Sequence, residues 1–263
     1  MSRAVAGEPH GATDAAVPPR RPGLLITRPA PADEELSAWA RAAGFVPIPA
    51  PVMRLEPLPA APPIEAAWDG RPDAVVLTSA NAARCAPEAP ELRAAPCWCV
   101  GEATAAAARA AGFADIRAGE GDAAALARRI AAGAPAGARL LHLRGRQGTA
   151  DLAGALAAAG FAFTQSVVYE MRLETALPEA AIRALNAGEV TVVPAFSPRA
   201  ARQLARLLDD RFDLRAVAAA AISAAAAAPL RAMGFAALRV AAAPAGPAMR
   251  EAIRAAARDV SGR

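Results

Sequence analysis

The chain repeats itself at long range. Residues Arg139–Arg172 read RLLHLRGRQGTADLAGALAAAGFAFTQSVVYEMR. This is an apolar strand closing on Arg-Gly, a turn, a helix and a second strand. Asp151 is a candidate cap for a helix whose Leu152, Leu156 and Ala159 share one face. Gly160 takes the C′ position that ends it. The strand that follows, Thr164–Tyr169, finishes on the only tyrosine of the chain. The same order occurs earlier in LLITRP, ELSAWARAAGF and VPIPAPVM (Leu24–Met53). Arg28 stands 16 residues before Gly44, as Arg144 stands 16 before Gly160, and Met53 falls at the position of Tyr169.

A second unit repeats as well. DAVVLTSANAAR (Asp73–Arg84) is echoed by TVVPAFSPRAAR (Thr191–Arg202), with Ser79 opposite Ser197. VGEATAAAARAAGF (Val100–Phe113) is echoed by ISAAAAAPLRAMGF (Ile222–Phe235), with Gly101 opposite Ser223. The order is A, B, A′, B′, and the offset drifts from 116 (Arg28 to Arg144) to 122 (Gly101 to Ser223). So long an offset marks a duplicated half and not a solenoid. Strands alternating with helices of about 8–12 residues imply parallel sheets covered on both faces. The fold expected is α/β, with two similar domains, each a mostly parallel five-stranded sheet. In the alanine-rich end, Leu214–Ile222 is expected as a strand and Ala224–Met233 as a helix. Periodicity does not say which strands share a sheet.

Composition narrows the partners. A net charge of +4 over 263 residues does not imply nucleic acid. Every basic side chain except two histidines is arginine, which grips planar carboxylates with paired hydrogen bonds. Cys97 and Cys99 flank Trp98 on one strand face and, with Cys85, are expected to be inert buried thiols. Too few histidines exist for a metal site beside them, and His142 lies inside a strand pattern, against a Ser-His-Asp triad. Met1–Pro22 has no hydrophobic stretch and is expected to be a disordered tail, not a secretory signal. The alanine run Ala216–Ala228 is too short to cross a bilayer, which takes ~20 residues. A soluble cytoplasmic protein with no membrane partner is expected.

Ligands of such sheets bind beyond the carboxyl ends of the strands. Arg28, Ser79, Gly101, Arg144, Tyr169, Ser197 and Ser223 all fall there. Thr78-Ser79-Ala80-Asn81 opens a helix whose free N–H groups suit a carboxylate, although the same residues also make an ordinary cap. Gly101 lets a ligand approach the backbone, and Thr104 adds a hydroxyl. In Ser197-Pro198, proline at the first helical position leaves the next N–H groups free. GxxxxGK[ST] and GxGxxG are both absent, so neither a P-loop nor a dinucleotide fingerprint is present. Tyr169, with a pKa near ~10, is able to donate a proton at neutral pH.

The ordered set TSAN, VGEAT, LRG, VVYE and FSP resembles the uroporphyrinogen-III synthase family, over about Leu24–Ala256. The resemblance implies two α/β domains joined by two strand-like connectors, near residues 53–57 and 169–175, with the active site in the cleft between them. One domain would be discontinuous (residues 23–53 and 173–263), the other continuous (54–172). It implies a cytoplasmic monomer using no metal and no organic cofactor. Its substrate would be hydroxymethylbilane, a linear tetrapyrrole closed to uroporphyrinogen III with ring D inverted. Tyr169 takes the place of the tyrosine that assists departure of the hydroxyl. Arg28, Thr78, Ser79, Ala80, Gly101, Thr104, Arg144, Gly145, Ser197 and Ser223 would hold the acetate and propionate arms. The chain departs from the family at Ser223-Ala224-Ala225-Ala226, where Gly and threonines are usual. Two other classes fit the residues: a bilobal regulator that binds without turnover, and an unrelated two-domain binder of acidic ligands.

Overall fold

The computed structural model describes residues 21–59, 71–147 and 152–261. Eleven strands form two sheets in the described residues. They are β1 (Gly23–Ile26), β2 (Val46–Pro49), β3 (Met53–Pro57), β4 (Ala74–Leu77), β5 (Cys97–Cys99), β6 (Ile116–Ala118), β7 (Arg139–Gly145), β8 (Ala162–Leu173), β9 (Val190–Ala195), β10 (Ala218–Ala221) and β11 (Ala237–Val240). The first sheet runs β11-β10-β9-β1-β2, all parallel. The second runs β3-β8-β7-β4-β5-β6, parallel except for β3 against β8.

The sheets resolve what periodicity left open. Each combines an A unit with the B unit of the other half: β1 and β2 join β9–β11, while β7 and β8 join β4–β6. Read in those units, the two orders are the same. Each places its switch in strand order between the first A strand and the first B strand, β1 beside β9 and β7 beside β4. That is where open α/β sheets take ligands.

The sixth strand of the second sheet corrects the expectation of five. It is a connector, β3, whose Met53 to Pro57 pair antiparallel with Leu173 to Tyr169. Strand β8 is twice the expected length. Its first part pairs with β7, and its charged end Glu170–Leu173 continues against β3. Glu170 and Arg172 survive in a strand because this is a sheet edge, where opposite charges meet across the ribbon. Arg172 binds both Glu56 (2.7 Å) and Glu170 (2.6 Å). The prolines at 47 and 49 fit β2, which is also an edge, and Pro51 lies just beyond it.

Apolar alternation builds a core on each face of each sheet. Leu24 and Ile26 face helices Ala32–Ala42 and Gly246–Ser261, while Leu25 faces the opposite core with helix Pro198–Leu208. In that helix, Ala200, Ala201, Leu204, Leu207 and Leu208 make the buried stripe of a 3.6-residue repeat. Ser197 Oγ caps it by accepting from Ala200 N at 3.0 Å. Asp151 lies outside the described residues, and the helix after it spans Ala153–Ala158. The alanine-rich segment falls short of expectation: β10 covers only Ala218–Ala221, and the helix only Ala224–Ala227 before a tighter turn at Ala228–Leu230. Pro229 lacks the N–H that would extend it.

Candidate active site

Two sequence-derived turns face each other across a gap. Arg28, Pro29, Ala30, Pro31, Ala32, Glu34 and Glu35, following β1, line one wall of a cavity of about 590 Å³. Ser79, Ala80, Asn81 and Arg84, following β4, and Ala103 line the other. The cavity therefore lies between the two sheets' switch points. Arg28 reaches it with its guanidinium 5.1 Å from the Phe196 ring centroid, a cation–π contact.

Ser79 is the centre of the second wall. Its backbone is extended (φ −153°) and helix Ala80–Arg84 begins after it. Its Oγ accepts from Asn81 N at 3.1 Å and from the Tyr169 hydroxyl at 3.2 Å. A hydroxyl has two acceptor positions and one proton. With both acceptor positions of Ser79 engaged in this way, its own proton is free for a further acceptor. Tyr169 itself is 8% exposed and is not among the lining residues.

The ring of Tyr169 fits because residue 145 is glycine. After a register shift, Gly145 stands beside Tyr169, and a Cβ there would lie 2.5 Å from the ring's Cζ. Carbon atoms approach to about 3.5 Å at best, so any side chain at 145 would displace the phenol.

On the opposite face of the same sheet, Thr78 Oγ1 lies 3.0 Å from His142 Nε2. The His142 ring is 3% exposed and packs 5.7 Å from Phe163. Burial, with the nearby charge of Arg144, pulls its pKa down to about 4. The ring is neutral at physiological pH and has one N–H and one lone pair to offer. The Thr78-Ser79 turn is thus held from both faces, by His142 on one and Tyr169 on the other.

The remaining predicted residues have other placements. Arg144 turns along the sheet to Gln165 Oε1 (2.7 Å) and the Gly145 carbonyl (3.1 Å). Gly101 precedes helix Glu102–Ala110, in which Thr104 is buried and Ala103 is the residue that lines the cavity. Ser197 and Ser223 each cap their own helix, Ser223 accepting from Ala226 N at 3.3 Å. Ala224 and Ala225 are exposed and Ala226 is buried. The structure therefore brings Arg28, Ser79 and Ala80 to one cavity, with Tyr169 and Gly145 behind them, and leaves Thr78, Gly101, Thr104, Arg144, Ser197 and Ser223 off its lining.

Sequence reasoning missed Glu34, Glu35 and Arg84. Their signal is proximity to a turn: Asn81 and Arg84 lie three residues apart on one helix face directly after Ser79. Residues from both lobes also clasp β8. Arg199 Nη2 donates to the Met171 carbonyl at 2.7 Å, while Asn81 Nδ2 lies 4.0 Å from Met171 Sδ.

A model of the family described as uroporphyrinogen-III synthase HemD matches residues 34–251. The chain belongs to the uroporphyrinogen-III synthase family. The fold of a uroporphyrinogen-III synthetase from Helicobacter pylori superposes over 88% of this chain and 97% of that one, with a TM-score of 0.57 at 18% identity. A uroporphyrinogen-III synthase variant from Thermus thermophilus covers 92% and 100% of the two chains at 18% identity, with a TM-score of 0.47. No curated protein matches the chain by sequence. Membership of an enzyme family of tetrapyrrole biosynthesis fits a switch-point cleft that presents a hydroxyl proton and arginine.

Among the described residues, no helix is long and apolar enough to cross a membrane. No group of three or more His, Cys, Asp or Glu suited to a metal comes together among them. Cys97 and Cys99 are buried with their sulfurs 3.8 Å apart, and that contact together with burial pushes the Cys97 thiol pKa up, away from the reactive thiolate.

Proposed function

We propose that this protein closes hydroxymethylbilane to uroporphyrinogen III, with loss of water and inversion of ring D through a spiro intermediate. It acts as a cytoplasmic monomer without metal or organic cofactor. Residues 23–53 with 173–263 form one lobe, and residues 54–172 the other. The observation that carries the reading is the Ser79 hydroxyl. Its lone pairs are occupied by Asn81 N–H and Tyr169 O–H, and it lines a cleft whose far wall carries Arg28.

The first chemical demand is departure of the ring A hydroxyl, which leaves a cationic azafulvene. A proton delivered to that oxygen makes water the leaving group. Ser79 donates it, and Tyr169 supports the donation by passing its own proton to Ser79 Oγ. The proton is returned when the closing pyrrole regains aromaticity, so the sum is substrate to macrocycle plus water. Glu34 and Glu35 on the opposite wall place negative charge in the same cavity as the developing cation.

The second demand is geometric. Free in solution, the chain closes without inversion to isomer I. Holding ring D so that its substituted carbon attacks first converts this competition into a positioning problem. Arg28 and the first-turn N–H groups of the facing helices bind the acidic arms. At Ser223–Ala226, where family threonines are absent, the N–H groups of Ala224 and Ala225 serve in their place.

The test is direct. The purified protein is given freshly prepared hydroxymethylbilane, and the oxidised porphyrin isomers are resolved. Predominant isomer III is expected. Isomer I alone, formed at the rate without protein, would remove the proposal, and tetrapyrrole binding without turnover would replace it with a regulatory role.

A further inference from the structure

The cleft does not end at Ser79. Arg84 and Ala103 line it, and the same two residues line a second cavity of about 480 Å³ with Ala106, Ala107, Ala110 and Ala111. Arg84 is thus the cationic residue at the junction of two adjoining cavities, the second otherwise walled by alanine methyl groups. Its orientation is set. Arg84 Nη1 donates to Asn81 Oδ1 at 3.1 Å, while Asn81 Nδ2 faces Met171 Sδ. Among the described residues Arg84 makes no ion pair, although twelve other arginines do. The carboxylates facing the cleft, Glu34 and Glu35, stand on the other wall, and Glu35 is engaged by Arg250 at 2.6 Å.

We infer that Arg84 is a substrate-binding residue that takes one carboxylate arm of the acidic ligand where the chain leaves the cleft for the second cavity. A guanidinium has five donors in a planar fork, and one bond to Asn81 leaves a full edge for a bidentate carboxylate. Asn81 is the positioning residue. By fixing one Nη, it spares the complex part of the entropy of ordering a long side chain. The occupant is an acidic pyrrole unit of the same linear tetrapyrrole, so the inference rests on the proposed function for its ligand.

The test separates the two claims. Wild-type protein, Arg84→Gln and Arg84→Lys are compared in the isomer assay, and their affinity for an octacarboxylic porphyrin is measured by fluorescence without turnover. Arg84→Gln is expected to raise both KM and Kd about tenfold while kcat stays within about twofold, the size of a lost charge-assisted pair. Arg84→Lys recovers part of the affinity, because an ammonium keeps the charge and loses the fork. Asn81→Ala moves KM the same way by about threefold. Wild-type protein yielding only isomer I sinks the proposed reaction, and the porphyrin Kd still decides Arg84. Unchanged KM and Kd in Arg84→Gln, or a fall in kcat alone, overturns the assignment.

Discussion

The two lobes share one strand order and differ at equivalent positions where chemistry would occur. Ser79 and Ser197 both follow a first B strand and both cap a helix. Behind Ser79 stand His142 against Thr78 and Tyr169 against Gly145. In the other lobe, the repeat puts Ile26, Phe196, Met53 and Pro29 at those four positions. Polar partners clamp one turn, whereas buried Ile26 and half-buried Phe196 pack behind the other. The Ser197 hydroxyl caps its own helix, and this lobe brings Arg28 to the cavity. The repeat supplies both turns, and only the one in the lobe built from β3–β8 carries the Ser79–Tyr169 and Thr78–His142 contacts. Under the proposed function this difference becomes a division of labour, in which one wall grips and the other also handles protons.

The largest effect that would break this contrast comes from Gly145→Ala. The new methyl group meets the Tyr169 ring at 2.5 Å. The phenol must leave Ser79. We expect isomer III formation to fall at least about a hundredfold, with about 1–3 kcal/mol of stability lost to overpacking. Near wild-type turnover, measured beside a urea midpoint, would show that the ring's seat is irrelevant to the reaction.

Next is the relay itself. Tyr169→Phe keeps the packing and removes one proton donor, and is expected to slow isomer III formation by at least about tenfold. Ser79→Ala is expected to do the same. If the two hydroxyls act in series, the double variant is little slower than either single one, because each already breaks the same path. Multiplying losses would mean independent roles. An unchanged Tyr169→Phe rate would leave the tyrosine as packing.

Much of this was legible from residues alone, and the reason is local. The strand ends, the caps at Ser79, Ser197 and Ser223, and the glycine stops each depend on a few consecutive residues. Placing Arg28 and Ser79 at carboxyl ends of strands needed nothing more, whereas Tyr169, expected at a strand end, lies inside the longer β8. What escaped was non-local. Whether β1 joins β4 or β9 is decided by contacts between units far apart in the chain, which periodicity does not encode. The Glu170–Leu173 end of β8, expected as a strand-like connector, is fixed by charges that only the fold brings together, Glu56 on β3 and Arg146 just after β7. Gly145 is expected from the sequence as a substrate-binding residue, and its role as the space for a ring appears only once β7 and β8 are side by side. The sequence does not show where the alanine helix after Ser223 ends, because a run of identical side chains has no periodic stripe to mark where packing stops.

A third probe concerns the buried imidazole, for which the other lobe has isoleucine. Burial holds the His142 pKa at about 4 in the folded protein, against the ordinary imidazole value of 6.5. Between those values the unfolded chain binds the proton and the folded one does not. Stability therefore rises with pH through that window and is lost as pH falls. From about pH 7.5 to about pH 5.5 the loss from this residue is about 1.3 kcal/mol, before other groups are counted. His142→Gln keeps a partner for Thr78 and removes the titration. The urea midpoint of wild-type protein should drop more over that range than that of the variant. Parallel curves would mean that the imidazole protonates without leaving its site.

The smallest expected effect is also the sharpest test of the contrast. Ser197→Ala removes a hydroxyl that accepts from Ala200 N at the start of an eleven-residue helix whose opposite flank is core. Loss of such a cap costs about 1 kcal/mol. Pro198 holds the first helical turn in place without the hydroxyl. Turnover should stay within about twofold of wild type, while Ser79→Ala, which also removes a cap, costs tenfold or more. Equal rate losses from the two serines would erase the division between a gripping wall and a proton-handling wall, because both hydroxyls would then have to meet the substrate.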